Sequence, residues 1–248
     1  MWWIPFRAAR LATHVLRGIY LTRGQQRRSA EMQAQLVRDW HDRLMRILNI
    51  EVSITGHLPT DAPHLWIANH ISWLDIPLLG SLAPHAVFVS KQEVRSWPVI
   101  GSLAAAAGTL FMQRGSGSEG ARSAITEGLS TGRHIVIFPE GTTTDGHKVN
   151  RFHARLFQPA IDCRASLLPI AIRYISHDGK LARTAAYIDD DHILGSIGRV
   201  LATRKLFAQV HLLETIDTHE PAPRNQLAEL AKHRISQALR PQGKNQAQ

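Results

Sequence analysis

The chain has 248 residues, 44% of them hydrophobic and 20% charged, which suits a folded domain with a full core and excludes an intrinsically disordered chain. Cys163 is the only cysteine, which excludes an intramolecular disulfide and a cysteine-based zinc site. The 14 histidines lack paired metal-ligand spacing, so no metal is expected, and the net charge of +9 favours an anionic partner such as a membrane surface.

Residues 1–50 carry much of this charge, with nine arginines against three acidic residues. Arg7, Arg10, His14 and Arg17 recur at helical spacing and predict one basic helix face. The arginines interrupt the apolar run too often for a transmembrane helix. The pattern predicts an amphipathic helix on an anionic membrane surface, and a helix packed on the domain is the alternative. The apolar side chains of this segment are Trp2, Trp3, Phe6, Ala9, Val15, Leu16, Ile19 and Tyr20.

A second helix is predicted over residues 30–48, where Met32, Leu36, Trp40, Leu44 and Leu48 repeat every four residues. The two helices predict an N-terminal amphipathic helical pair over residues 1–49. After this pair, the sequence predicts an α/β domain over residues 50–240 and a disordered tail over residues 241–248.

From residue 50 onward, short β-rich runs alternate with helical stretches, which predicts an α/β domain with a mixed, largely covered β-sheet flanked by helices. The predicted strands are 50–56, 64–69, 85–90, 108–114, 134–139, 167–174, 184–189 and 207–216. The predicted helices lie near 73–82, 97–106, 118–131, 151–163, 191–203 and 224–240.

The segment "GSGSEG" (115–120) matches the G-x-G-x-x-G dinucleotide fingerprint. Gln113 and Arg114 stand where a buried strand should run directly into the first glycine. Three predicted strands already precede the strand that leads into this segment. Ser116 replaces the first glycine of a G-x-S-x-G nucleophile elbow, which weakens the hypothesis of a serine hydrolase. A dinucleotide-dependent oxidoreductase and a non-catalytic membrane-binding protein remain as alternatives. Nucleic-acid binding is compatible with the charge but lacks a reader motif.

The segment "NHISWLD" (69–75) places His70 five residues before Asp75. Alone, this pattern fits either a capped turn or a general base with its orienting carboxylate. Neutral imidazole can take a hydroxyl proton near pH 7, and a carboxylate on the other ring nitrogen fixes the tautomer. Because five residues is not a same-face helical spacing, Asp75 has to reach His70 around a turn.

Four ordered blocks decide between these interpretations: "NHISWLD", "KQEVRSWPVIGSLAAAAGTLFMQR" (91–114), "FPEGTTT" (138–144) and "LLPIAI" (167–172). Together they resemble the glycerolipid acyltransferase family over about residues 50–215. The second block matches the family's pattern at Lys91, Glu93, Pro98, Gly101, Gly108, Phe111 and Arg114.

The resemblance implies a membrane-associated O-acyltransferase of phospholipid biosynthesis. It would move a fatty acyl chain from acyl-CoA or acyl-carrier protein to a lysolipid hydroxyl, without a cofactor. The first expectation for the acceptor is 1-acyl-sn-glycerol-3-phosphate, which would give phosphatidic acid. The expected location is peripheral or monotopic on the cytoplasmic face of the inner (cell) membrane.

The resemblance also assigns roles to residues. It makes His70 the general base and Asp75 its partner, while Asn69 is expected to shape the turn rather than to react. The expected substrate-binding residues are Lys91, Arg114, Glu140, Gly141 and Thr142. For Lys91 and Arg114 the alternative is a solvated surface position, and for Glu140 it is an ion pair with a local arginine.

One departure concerns the acceptor. Many phosphatidate-forming members carry an arginine where this chain has Thr143, and F-P-E-G-T-T variants act on other lysolipids, including lyso-ornithine lipid. Substitute phosphate contacts are expected from Lys148, Arg151 and Arg155. The apolar run at 97–111 is expected to line an acyl tunnel or to form a buried helix.

Overall fold

The computed structural model describes residues 2–23, 28–59, 63–83, 85–112, 117–188, 190–220 and 222–240. The predicted tail at 241–248 and Arg114 lie outside these ranges.

Two N-terminal helices precede the sheet, α1 (Trp3–Thr22) and α2 (Ala30–Leu48). The Ser29 hydroxyl caps α2 by accepting a hydrogen bond from the Met32 N–H at 3.2 Å. Asn49 ends α2 in the left-handed conformation (φ 56°), one of the few non-glycine residues that adopts it readily. The helices pack through a stacked ring pair, His14 on Trp40, with centroids 4.6 Å apart.

The remaining elements alternate between strands and helices. The strands are β1 (Ile50–Thr55), β2 (Leu65–Ala68), β3 (Ala86–Lys91), β4 (Leu110–Met112), β5 (His134–Ile137), β6 (Leu167–Ser176) and β7 (Leu206–Leu212). The helices are α3 (Asp75–Leu82), α4 (Gln92–Arg95), α5 (Ile100–Ala106), α6 (Gly117–Ser130), α7 (Gln158–Asp162), α8 (Ile193–Ala202) and α9 (Arg224–Ala238), with a 3-10 helix at Ala154–Phe157.

These strands form a seven-stranded sheet in the order β1-β7-β6-β2-β5-β3-β4. Only the β6–β7 pair is antiparallel among the described strands, so the sheet is mixed, as predicted. The parallel strands β2, β5 and β3 bring their carboxyl ends to one edge of the sheet, where α/β folds place ligands.

Two apolar clusters cover the two faces of the central sheet. Along β2, Trp66 and Ala68 face the cluster that includes α2, α3 and α8, whereas Leu65 and Ile67 face the one that includes α6, the 3-10 helix and α9. This alternation buries all four residues of β2. Helices therefore cover both faces of β2, the strand that leads into His70.

Two sequence predictions differ from the structure. The described part of the predicted strand at 184–189 is not a strand, and its Tyr187 N–H instead donates to the Ile71 carbonyl at 3.0 Å. Its β-rich composition reflects a buried turn, since Ala185 and Ala186 lie in the core. The apolar run at 97–111 is not a buried helix either, because Gly101 is the one buried residue of α5.

The predicted basic face of α1 is divided between two environments. The Arg7 guanidinium donates to the carbonyls of Thr203 and Arg204 at 2.7 Å each, at the carboxyl end of α8, and His14 is buried. The outer face of α1 is largely apolar and includes four large exposed side chains, Trp2, Phe6, Leu16 and Tyr20. None of the described helices is both long enough and apolar enough to span a bilayer.

Candidate active site

The site begins where β2 ends. The Asn69 side chain donates to the Ile172 carbonyl at 3.0 Å and accepts from the Ile172 N–H at 2.8 Å. Its amide thereby acts as an extra peptide group between β2 and β6, and it is buried. This arrangement supports the prediction that Asn69 shapes the turn.

His70 and Asp75 form a hydrogen bond across the following turn, with 2.8 Å between Nδ1 and Oδ2. Because a carboxylate oxygen accepts, Nδ1 carries the proton and Nε2 keeps its lone pair. Within the described residues Nε2 has no hydrogen-bond partner. The ring therefore presents its basic nitrogen to whatever enters the site.

Asp75 is the first residue of α3, and it reaches back over the turn. The same Oδ2 accepts from the backbone N–H groups of Ile71 and Ser72, at 2.7 and 2.9 Å. The side chain is fully buried, and the amino end of a helix favours a negative charge. One carboxylate oxygen thus both closes the turn and holds the His70 ring.

The backbone of His70 is held by the loop after β5. The Glu140 Oε1 accepts from the His70 N–H at 2.8 Å, and the His70 carbonyl accepts from the Thr144 N–H at 2.8 Å. The other Glu140 oxygen accepts from the Asn150 N–H at 2.7 Å. Burial raises the pKa of Glu140, partly offset by these two backbone donors. Both oxygens are therefore committed to backbone contacts in this structure.

The His70 ring stacks on Phe138, with centroids 4.1 Å apart and planes at 16°. It lies in the wall of a cavity of about 1440 Å³, larger than the roughly 300–1,000 Å³ usual for small-molecule sites. The cavity runs from His70 to the N-terminal helices. Its apolar wall includes Leu11, Val15, Leu36, Trp40, Leu103 and Ala107.

The other predicted substrate residues fall into two groups. Gly141 (φ 71°) and Thr142 line the cavity beside His70. Lys91 is the last residue of β3, paired in register with Met112 of β4, and Arg114 follows two residues later outside the described chain.

Thr143, where the resemblance leads one to expect arginine, also borders the cavity. Its hydroxyl donates to the Tyr187 carbonyl, so it ties the loop after β5 to the segment before α8. Arg151 and Arg155 line the same cavity and form no ion pair within the described residues.

Two further residues contact the turn from His70 to Asp75 without having been predicted, Thr144 and Tyr174, and a third, Asn150, donates to Glu140. Thr144 and Asn150 lie within or shortly after "FPEGTTT", and their contacts are made by backbone N–H groups, which leave no mark in a sequence. Tyr174 ends the apolar run "LLPIAIRY", where its alternation with Ile172 indicates the same buried face.

Comparison with known proteins agrees with the fold. A family model described as Acyltransferase matches residues 49–173. The structure of the 1-acyl-sn-glycerophosphate acyltransferase from Thermotoga maritima superimposes with a TM-score of 0.70 at 19% identity, covering 99% of this chain and 95% of that one. It therefore supports the mixed α/β architecture.

Two curated relatives are more similar in sequence. A lyso-ornithine lipid O-acyltransferase of Pseudomonas aeruginosa is 43% identical over 84% of this chain and 80% of its own length. A 1-acyl-sn-glycerol-3-phosphate acyltransferase of Neisseria meningitidis is 35% identical over 70% of this chain and 66% of its own length. With these matches, the chain belongs to the glycerolipid acyltransferase family and is an acyltransferase.

Proposed function

We propose that the chain is a membrane-surface enzyme that transfers a fatty acyl group from an acyl thioester to the free hydroxyl of a lysolipid, and that its preferred acceptor is lyso-ornithine lipid. The observation that carries the reaction is the His70–Asp75 pair in the wall of a large apolar cavity.

In this proposal Nε2 of His70 takes the proton of the acceptor hydroxyl as its oxygen attacks the thioester carbonyl carbon. The C–S bond of the resulting intermediate breaks, and the leaving thiolate receives the proton from His70. Asp75 stabilises the imidazolium that exists between these two transfers. No acyl-enzyme forms, because the hydroxyl attacks directly.

The negative oxygen of the intermediate needs hydrogen-bond donors. Thr142 and Thr143 border the cavity, and their backbone N–H groups make no hydrogen bond within the described residues. They follow Gly141, whose positive φ turns the chain after β5. We assign the oxyanion to these two groups.

The apolar part of the cavity suits an acyl chain. Three elements supply its wall: α1, α2 and the run at 97–111, which includes Trp97, Val99, Ile100, Leu103 and Ala104. Burial of a long alkyl chain against such a surface contributes about 0.8 kcal/mol per methylene. This supports the expectation that the run at 97–111 lines an acyl tunnel.

The choice of acceptor rests on Thr143 and on the 43% identical relative. A phosphate monoester carries a charge of about −1.5 to −2 and is well matched by more than one arginine. The arginine that many phosphatidate-forming members carry at this position is replaced by Thr143. The ornithine head group carries one carboxylate beside its own side-chain ammonium, so a single arginine, Arg151 or Arg155, is enough to pair with the carboxylate. The 35% identical relative and the presence of both arginines favour 1-acyl-sn-glycerol-3-phosphate as the second candidate.

Membrane association is part of the proposal. The exposed apolar face of α1, with Phe6, Leu16 and Tyr20, is flanked by the exposed Arg10 and Arg17. An apolar strip beside cationic side chains is the arrangement of helices that lie in an anionic lipid interface. We place the enzyme on the cytoplasmic side because acyl thioesters are made there.

The test is an assay of purified full-length protein with a labelled acyl thioester, given as acyl-CoA and as acyl-carrier protein, against a panel of lysolipids. We expect acylation of lyso-ornithine lipid with a higher kcat/KM than of lysophosphatidic acid. His70→Ala should lower kcat by about 10²–10⁴, whereas His147→Ala, an exposed histidine in the same region, should not. Faster acylation of lysophosphatidic acid would reverse the order of the two candidates. Wild-type turnover by His70→Ala would reject the mechanism.

A further inference from the structure

Tyr174 lies deep in the protein beneath the catalytic turn. Its hydroxyl donates to Oδ1 of Asp75 at 2.9 Å, and the two residues are 2% and 0% exposed. Among the described residues, Tyr174 is the one partner of that oxygen, because His70, Ile71 and Ser72 all donate to Oδ2.

The sheet explains how a residue of β6 reaches a turn that follows β2. The two strands run parallel, with Ala68 at the end of β2 opposite Ile170. β6 continues to Ser176, so it passes beyond the end of β2 and under the first turn of α3. Tyr174 shares its face with Ile170 and Ile172, the face that packs against α3.

The contact matters because the Asp75 carboxylate is shielded from water. A buried carboxylate oxygen without a donor is costly, and the carboxylate can reduce that cost by rotating. Rotation would remove Oδ2 from its position opposite Nδ1 of His70. Burial and the neighbouring Asp75 carboxylate raise the pKa of Tyr174 well above its ordinary value of 10.0, so the hydroxyl remains a donor.

We infer that Tyr174 is a positioning residue of the acyl-transfer reaction, which fixes the rotation of the Asp75 carboxylate so that Oδ2 orients the His70 ring. The role rests on the proposed function of the His70–Asp75 pair. Tyr174 itself touches neither substrate nor reacting atoms.

The variant Tyr174→Phe removes the hydroxyl and keeps the ring. Loss of a hydrogen bond to a charged group should lower kcat about 10- to 100-fold with little change in KM.

Ile170→Val is the matched control, since it trims a buried side chain four residues away on the same face. It should lower thermal stability and leave kcat unchanged. In a double-mutant cycle, Tyr174→Phe should cost almost nothing further in an Asp75→Asn background. Wild-type kcat in a less stable Tyr174→Phe protein, or effects of the two substitutions that multiply, would overturn the inference.

A second readout does not depend on turnover. In ¹⁵N-histidine-labelled protein, the Nδ1–H resonance of His70, identified by its loss in His70→Ala, should move or broaden in Tyr174→Phe and stay in place in Ile170→Val. An unchanged resonance in Tyr174→Phe would refute the positioning role even if no lysolipid of the panel is acylated. Absence of acylation with a changed resonance would reject the proposed function alone.

Discussion

Glu140 and His70 lie seventy residues apart in the chain, and the carboxylate of the first accepts a hydrogen bond from the backbone N–H of the second at 2.8 Å. The contact exists because β2 and β5 are neighbours in a parallel sheet and both end at the same edge. The second oxygen of Glu140 holds the Asn150 N–H. Glu140 therefore joins the turn from His70 to Asp75 to the segment that leads into Arg151, which lines the cavity.

Replacement of Glu140 tests this connection. Glu140→Gln retains one acceptor oxygen but sets an amide N–H₂ against a backbone donor, so we expect a loss of thermal stability and a fall in kcat of about 10-fold or more. Steady-state kinetics and thermal unfolding measure the two effects. Glu127→Gln, on the exposed side of α6, serves as a control and should change neither. A change in KM for the lysolipid alone would instead support the expected substrate contact.

The same variant makes a pH prediction. Because burial raises the pKa of Glu140 above its ordinary 4.5, the folded protein binds this proton more tightly than the unfolded chain. Its ionisation therefore removes stability as pH rises through the interval just above 4.5. Glu140→Gln should lack that loss when the free energy of unfolding is followed by denaturant titration across the interval. Parallel curves for the two proteins would contradict the assignment.

Thr143 tests the basis of acceptor selection. Thr143→Arg supplies the guanidinium that many phosphatidate-forming members carry, so we expect the ratio of kcat/KM for lysophosphatidic acid to that for lyso-ornithine lipid to rise about 10-fold. Thr143→Ser keeps the hydroxyl that donates to the Tyr187 carbonyl and should leave the ratio unchanged. An unaltered ratio in Thr143→Arg would place head-group selection elsewhere, with Arg151 and Arg155 the next residues to change.

The local part of the site could be predicted from the sequence, and its long-range part could not. The contact between His70 and Asp75 needs only a short turn between a strand and a helix, and the prediction that Asp75 reaches around that turn agrees with the 2.8 Å hydrogen bond. The contacts of Glu140 and Tyr174 with this turn depend on strand order and register, which no local pattern carries. From the sequence, Tyr174 is indistinguishable from the other core residues of β6. Its contact with Asp75 depends on the extension of β6 beyond the end of β2.

The fold shows the same division. Periodicity predicted a mixed sheet and two N-terminal helices, and both are present. Within the predicted strand at 184–189, it misassigned the described residues 184–188, since a run of small and β-forming residues also occurs in a buried turn. Periodicity predicted which side chains of α1 share a face but not what surrounds that face. The Arg7 guanidinium donates to a carbonyl at the end of α8, about two hundred residues away in the chain.

The division of the basic residues of α1 leads to a prediction for membrane binding. Arg10 and Arg17 are exposed, so Arg10→Gln with Arg17→Gln should weaken binding to anionic vesicles by about 2 kcal/mol, roughly 30-fold, and reduce its dependence on salt. Arg7→Gln removes the same charge from a packed position, and it should lower thermal stability more than vesicle affinity. Vesicle co-sedimentation at two salt concentrations measures both. Equal loss of affinity from all three positions would argue against a defined lipid-facing side.

The buried histidines of the N-terminal helices predict how the protein responds to acid. Burial lowers the pKa of His14 and of His41 from 6.5 to about 4, and His41 packs so closely on α3 that a Cβ at Gly80 would lie 2.2 Å from its Nδ1. The two histidines thus bind protons near pH 6.5 in the unfolded chain but only near pH 4 in the folded chain. Stability is fully present above pH 6.5 and is lost as pH falls toward 4, with a slope of at most about 1.4 kcal/mol per pH unit for each histidine.

His41→Asn isolates one of these two contributions. The variant should be less stable at pH 7, because the asparagine fills the site poorly, and its free energy of unfolding should fall less steeply between pH 6.5 and 4 than that of the wild type. Denaturant titrations at half-unit intervals of pH give both slopes, and His147→Asn, an exposed histidine, should reproduce the wild-type slope. Identical slopes for His41→Asn and the wild type would show that His41 takes up its proton without unfolding. Because α2 forms part of the cavity wall, acyl transfer should decline over the same pH interval in the wild type and more gradually in His41→Asn.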